Sequence, residues 1–92
     1  MSFVYLISEG DTGPVKFGVA ADPAGRLGEL QTGNSRRLRL VSFVKRDSRI
    51  DAFETERDIL NIFKGDRLIG EWLNVSEEFA EKIMSIIGAG AE

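Results

Sequence analysis

Cysteine and histidine are both absent from the 92 residues. Their absence removes thiol and serine–histidine nucleophiles, zinc sites built on Cys or His, redox pairs and disulfide frameworks. Any site must therefore be built from oxygen ligands, Tyr, Lys and Arg. No apolar run is long enough to cross a bilayer, and a mean hydropathy of -0.11 with 29% charged residues is the balance of a chain that folds in water. The opening Met1-Ser2-Phe3-Val4-Tyr5-Leu6-Ile7 lacks a positively charged stretch and a small-residue cleavage site, so it reads as a first strand and the expected compartment is the cytoplasm. Repeats and low-complexity tracts are missing as well. A chain of this length has room for one core, so a single domain is expected over 1–88 with a frayed tail over 89–92.

Positive charge is also in short supply, but it is unevenly spread. Net charge is -3, which taken whole argues weakly against a nucleic-acid partner. Between Ala24 and Arg49, however, Arg26, Arg36, Arg37, Arg39, Lys45, Arg46 and Arg49 face only Glu29 and Asp47. Arg36, Arg37, Arg39, Lys45 and Arg46 are thus candidates for a phosphate-facing patch. The same residues would equally form the solvated side of a strand and its turns.

Hydrophobic period and turn chemistry predict strands over 3–8 and 14–20 joined by the turn Glu9-Gly10-Asp11-Thr12-Gly13. If Ser8 pairs with Gly13, Tyr5 lies opposite Lys16 on one face. Asp22-Pro23 is a helix start with Asp as cap and Pro in the first turn, and Gly33 lies past its end. A third strand is expected over 38–44. Ser48-x-x-Asp51 opens a second helix running to about Lys64, and Ser76 caps a last helix stopped by Gly88. The order strand, strand, helix, strand, helix, helix predicts an α+β fold, a small antiparallel three-stranded sheet flanked by helices.

Glu56 stands out by its place on the second helix. At about 100° per residue, Ala52 and Leu60 lie about 40° to either side of it and Phe63 about 20° away, so this carboxylate sits at the centre of the apolar stripe. An ionised carboxylate among apolar neighbours costs several kcal/mol unless it has a partner. That partner is either a bound cation or a neighbouring arginine. Arg26, just before Leu27 on the first helix, and the pair Tyr5 and Lys16 complete the set of residues able to handle a phosphate or a proton. A lysine ammonium close to a phenol favours the phenolate, which makes the pair a candidate base.

Phe3-Val4-Tyr5, Lys16-Phe17-Gly18, Arg26, Glu56 and Gly70-Glu71-Trp72-Leu73, in this order, resemble the GIY-YIG nuclease superfamily, most closely its short phage and bacterial branch with Lys in the second triplet and a late Gly-Glu-Trp motif. Three positions depart from the pattern: Phe3 stands where the first glycine is usual, Leu60 stands where the branch carries a histidine, and Leu30 occupies the turn after Arg26 where some members have another histidine. The resemblance implies an endonuclease that hydrolyses DNA phosphodiester bonds with one divalent metal, Mg²⁺ or Mn²⁺, and with low sequence specificity of its own. It implies that Glu56 binds the metal, that Arg26 holds the scissile phosphate, and that Tyr5 deprotonates the attacking water with Lys16 beside it. Gly18 would leave room for a nucleic-acid backbone, and Asn74 would correspond to a late asparagine. Trp72 and Gly70-Glu71 would be structural, the indole plugging the base of the sheet. The implied partners are DNA and a separate specificity domain or protein. Two other readings of the same residues stay open: a catalytically lapsed nucleic-acid-binding module that works through 36–49, and a protein-interaction scaffold.

Overall fold

The computed structural model describes residues 2–10, 14–66, 68 and 72–90. Strands β1 (Ser2–Glu9), β2 (Val15–Ala20) and β3 (Leu38–Arg46) form one antiparallel sheet in the order β2-β1-β3. Helix α1 (Pro23–Thr32) follows β2, α2 (Arg49–Ile62) follows β3, and α3 (Glu77–Gly90) ends the chain after a short 3-10 turn over Lys64–Asp66. This is the α+β architecture expected from the sequence. Among the described residues no helix is long and apolar enough to cross a membrane.

Each α-helix begins where a side chain takes an orphan backbone N–H. The Asp22 carboxylate accepts from the N–H of Gly25 at 3.2 Å, and Ser48 Oγ from Asp51 at 3.1 Å. Ser76 Oγ accepts from Phe79 at 3.2 Å. Ends are less well marked. α2 stops at Ile62, two residues before the predicted Lys64, and α3 continues past Gly88 to Gly90. Glycine at 88 has a residue's usual negative φ there, so it does not act as a left-handed stop.

Hydrophobic alternation along the strands divides the molecule into two layers. On one face, Val4 and Leu6 of β1 with Val15 and Phe17 of β2 pack against Ala52, Ile59 and Phe63 of α2 and against Ala80 and Met84 of α3. The Phe17 and Phe63 rings stack with centroids 5.9 Å apart. Burying side chains of this size contributes roughly 1.5–3 kcal/mol each. On the other face, Tyr5, Ile7 and Leu38 meet Leu27 and Leu30 of α1, with Trp72 alongside.

The hairpin register corrects the expectation from sequence. Ser8 pairs with Val15, so Tyr5 lies opposite Gly18 and Lys16 opposite Ile7. Gly13, the predicted partner of Ser8, lies outside the described residues. The cause of the shift is Pro14, which has no N–H to give to a ladder and in the predicted register would sit inside one. Here it stays outside β2, and its carbonyl accepts from the Glu9 N–H at 2.9 Å to close the hairpin. Lys16 remains on the same face as Tyr5, one diagonal step away, about 7–8 Å. A second irregularity lies between Leu6 and Ile7, where their partners on β3 jump from Ser42 to Leu40 and leave Val41 as an extra residue. Such a bulge bends a strand and increases its twist.

Candidate active site

Tyr5 sits in the middle of the central strand and is 2% exposed. Its ring lies across Gly18: a methyl group built on that glycine would come within 2.2 Å of both the ring Cζ and the hydroxyl oxygen of Tyr5. The room left by glycine is thus filled from within by the Tyr5 ring and is not held open for a nucleic-acid backbone, as the resemblance had implied. Because β2 is an edge strand, a ring laid across it carries its hydroxyl toward the open side of the sheet.

Helix α1 supplies the second group. Asp22 and Pro23 start it directly after β2, and the Arg26 N–H bonds the Asp22 carbonyl at 3.0 Å, which places Arg26 at the end of the first turn. There its guanidinium lies close to the Tyr5 side chain, whose interaction with it is the larger of the influences that raise its pKa above the usual arginine value. A contact with Glu29 at 3.3 Å is the next. The guanidinium is 44% exposed and the Glu29 carboxylate 64% exposed, so that ion pair is of the weak, solvent-screened kind. A permanent cation, partly open to water, therefore lies beside the buried Tyr5 side chain in the first turn of α1.

Lys16 and Glu56 take other positions. Lys16 is buried on the α1 face beneath Trp72's end of the sheet, and Glu56 is half-buried on α2, in line with buried Ala52 and Ile59. Both take part in interactions within the protein. The stripe predicted around Glu56 is present, but α2 packs on the sheet face opposite to Tyr5. The way between the two faces is around the outer edge of β2, which among the described residues is paired only at Val15, through a two-bond bridge to Leu73. A site that uses Glu56 together with Tyr5 and Arg26 has to be built there.

Compared with known families, the chain matches the T5orf172 domain over residues 2–88, nearly its whole length. It belongs to that family. The T5orf172 domain is a phage-associated domain in the GIY-YIG/HNH-like nuclease context, consistent with a nuclease-like or DNA-binding role. Searches of curated proteins and of solved structures return no match.

The basic residues of this T5orf172 domain do not form one surface. Arg39 is tied to the rest of the protein, its Nε donating to the Gly10 carbonyl at 3.2 Å and its terminal nitrogen pairing with Glu77 of α3. Arg46 donates to Thr55 Oγ1 of α2 at 3.1 Å, and Arg36 pairs with Glu9 at 3.1 Å. Strand alternation sends Arg39 and Arg46 to the helix-covered face and Lys45 to the other. Arg37 and Lys45, both exposed, stand at opposite ends of β3, about 25 Å apart.

Asn74 also lies apart from Tyr5 and Arg26. Its N–H bonds the Asp66 carbonyl at 2.7 Å, and it lines a shallow depression with Phe63, Ser76 and Phe79. Trp72 has the packing role expected of it, half-buried against Tyr5, Ile7 and Leu38. Gly70 and Glu71 lie outside the described residues. Two neighbours of the site escape a reading of the sequence. Glu29 could have been found from its i, i+3 spacing to Arg26, whereas Phe43, directly opposite Tyr5, is visible only once the β3 register is known.

Proposed function

We propose that this T5orf172 domain is a metal-dependent endonuclease that hydrolyses DNA phosphodiester bonds with little sequence specificity of its own. The observation that carries the reading is the meeting of the Arg26 guanidinium with the Tyr5 side chain beside an open sheet edge. A guanidinium offers a planar fork of donors that matches two oxygens of a phosphate, and it keeps its charge at every working pH. Bound that way, the scissile phosphate would lie against the Tyr5 oxygen. Tyr5 would serve as the base toward the attacking water, and Arg26 would offset the negative charge that builds on the phosphate oxygens.

The metal is assigned to Glu56. Among the described residues no group of three or more acidic side chains converges to form a closed cage, so any ion would rest on one or two carboxylates, Glu56 among them. That suits Mg²⁺ or Mn²⁺, which are commonly held by one or two carboxylates with water and phosphate filling the remaining positions. Such an ion supplies Lewis-acid stabilisation of phosphate oxygens. Glu56 is half-exposed, as a carboxylate shared between protein and ion must be.

The test is nicking of supercoiled plasmid and of branched DNA with Mg²⁺ or Mn²⁺. Wild type should cleave, and Arg26→Ala and Glu56→Gln should each lower the rate by about 10²-fold or more. Absence of cleavage on both substrates, or variants that cleave like wild type, would overturn the proposal.

A further inference from the structure

The sheet face that carries Tyr5 is only half covered. Its rows, read across the strands, are Ala20, Phe3 and Lys45, then Gly18, Tyr5 and Phe43, then Lys16, Ile7 and Leu40. Leu27 and Leu30 of α1 cover the end that holds Ile7, Leu38 and Leu40. Beyond the β3 bulge the cover stops, and Phe43 is left 53% exposed directly opposite Tyr5. Phe3 meets it edge-on, with ring centroids 5.5 Å apart and planes at 85°. This contact fixes the ring while leaving more than half of it to solvent.

Single exposed apolar side chains are common and need no explanation. Phe43 differs in its surroundings: a second aromatic steadies it, the candidate site adjoins it, and cations flank it, Arg26 beyond Tyr5 and the exposed Lys45 beside Phe3. An orientated ring between cations is the arrangement on which unpaired nucleobases stack while the phosphates follow the positive charge. The other side of Phe43 is closed to an anion, because the outer edge of β3 there faces Glu81 of α3. From Phe43 to the β2 strand beneath the Tyr5 hydroxyl is two strand spacings, about 10 Å. A nucleotide with its phosphate at Arg26 can therefore bring a base, its own or the next, over Phe43.

We infer that Phe43 is a stacking platform for an unpaired base next to the scissile phosphate, so that the preferred substrate is single-stranded or locally unpaired DNA. The inference rests on the phosphate being held at Arg26. A fully paired duplex keeps its bases stacked on one another and offers Phe43 nothing to bind.

Fluorescence anisotropy with fluorescein-labelled oligo(dT) and with a perfect duplex of the same length tests it, using wild type, Phe43→Ala, Phe43→Leu and Phe43→Trp. Phe43→Ala and Phe43→Leu should weaken oligo(dT) binding by about 5- to 100-fold and change duplex binding by less than about 2-fold, with Phe43→Trp close to wild type. Leucine keeps the apolar contact with Phe3, so its failure to restore binding isolates the aromatic face from fold support. Wild-type affinity of Phe43→Ala for oligo(dT), or equal loss on both probes, would overturn the inference. Cleavage by wild type that is lost in Arg26→Ala tests the nuclease reading separately, since the stacking assay needs no metal and no bond breakage.

Discussion

Tyr5 has a defined position because Gly18 gives it one. The Tyr5 side chain occupies the space where any other residue at 18 would place a Cβ, and at 2.2 Å from both the ring Cζ and the hydroxyl oxygen there is no accommodation without moving the ring or the strand. Gly18→Ala should therefore cost about 1–3 kcal/mol, the range for overpacking a core. In a domain of this size that lowers Tm by about 4–8 °C per kcal/mol, read by thermal denaturation. Tyr5→Ala combined with Gly18→Ala should cost less than the sum of the two single losses, since the two effects share one contact; additive losses would show that the glycine matters for another reason. Arg26 has a different constraint. Its pKa is raised by the nearby Tyr5 side chain and then by Glu29. A basic group raised on folding lends stability below its unfolded value, and that stability is lost only as pH rises through the folded value. For an arginine this window lies above any usable pH. The pH profile of DNA binding between about pH 5 and 10 should therefore contain no inflection that Arg26→Ala removes.

At the level of elements, the three helix caps do unequal work. Asp22 starts the helix that carries Arg26, whereas Ser76 starts α3, whose buried Ala80 and Met84 belong to the opposite layer. Asp22→Ala and Ser76→Ala should each cost about 1 kcal/mol of stability. Only Asp22→Ala should also reduce phosphate binding, measured well below the melting temperature, because only that helix brings a side chain to Tyr5. Equal effects on binding would mean that α1 does not position Arg26 through its first turn. The caps are the elements most legible in the sequence. Asp22-Pro23, Ser48 and Ser76 act through bonds to residues three positions away, and local chemistry of that kind is written in local sequence. The stripe of α2 around Glu56 was legible for the same reason. Strand register was not, because it depends on where a proline-containing loop closes and on a bulge in β3, and both are settled between strands. Thus the sequence pattern puts Tyr5 opposite Lys16 where the structure has Gly18, and nothing local marks Phe43 as its neighbour on β3. Arg26 and Tyr5 could each be singled out from sequence, but their contact needed the docking of α1 on the sheet.

For the molecule as a whole, the distribution of charge sets how it can meet DNA. Net charge is -3, and the local excess of arginine along 36–49 is spent inside the protein: Arg39 on Glu77, Arg46 on Thr55 and Arg36 on Glu9. The exposed cations near the candidate site, among the described residues, are Arg26, Lys45 and Arg49, the last beside Ala20 and Ala21, so duplex DNA should lose only a few counterions when it binds. For about two or three phosphates neutralised, the slope of log affinity against log salt should be about -2 to -3. Titrations between about 50 and 200 mM salt would measure it, and Arg36→Ala with Arg37→Ala should leave the slope within about one unit of wild type. A slope near -5 or steeper, flattened by those two substitutions, would instead show that 36–49 engages the phosphates as a single surface. Few phosphate contacts also mean weak attachment to long duplex. Recognition would then fall to the contacts at the sheet edge, where Arg26 meets Tyr5, and the choice of substrate to whatever DNA structure can bring a phosphate and an unpaired base there together.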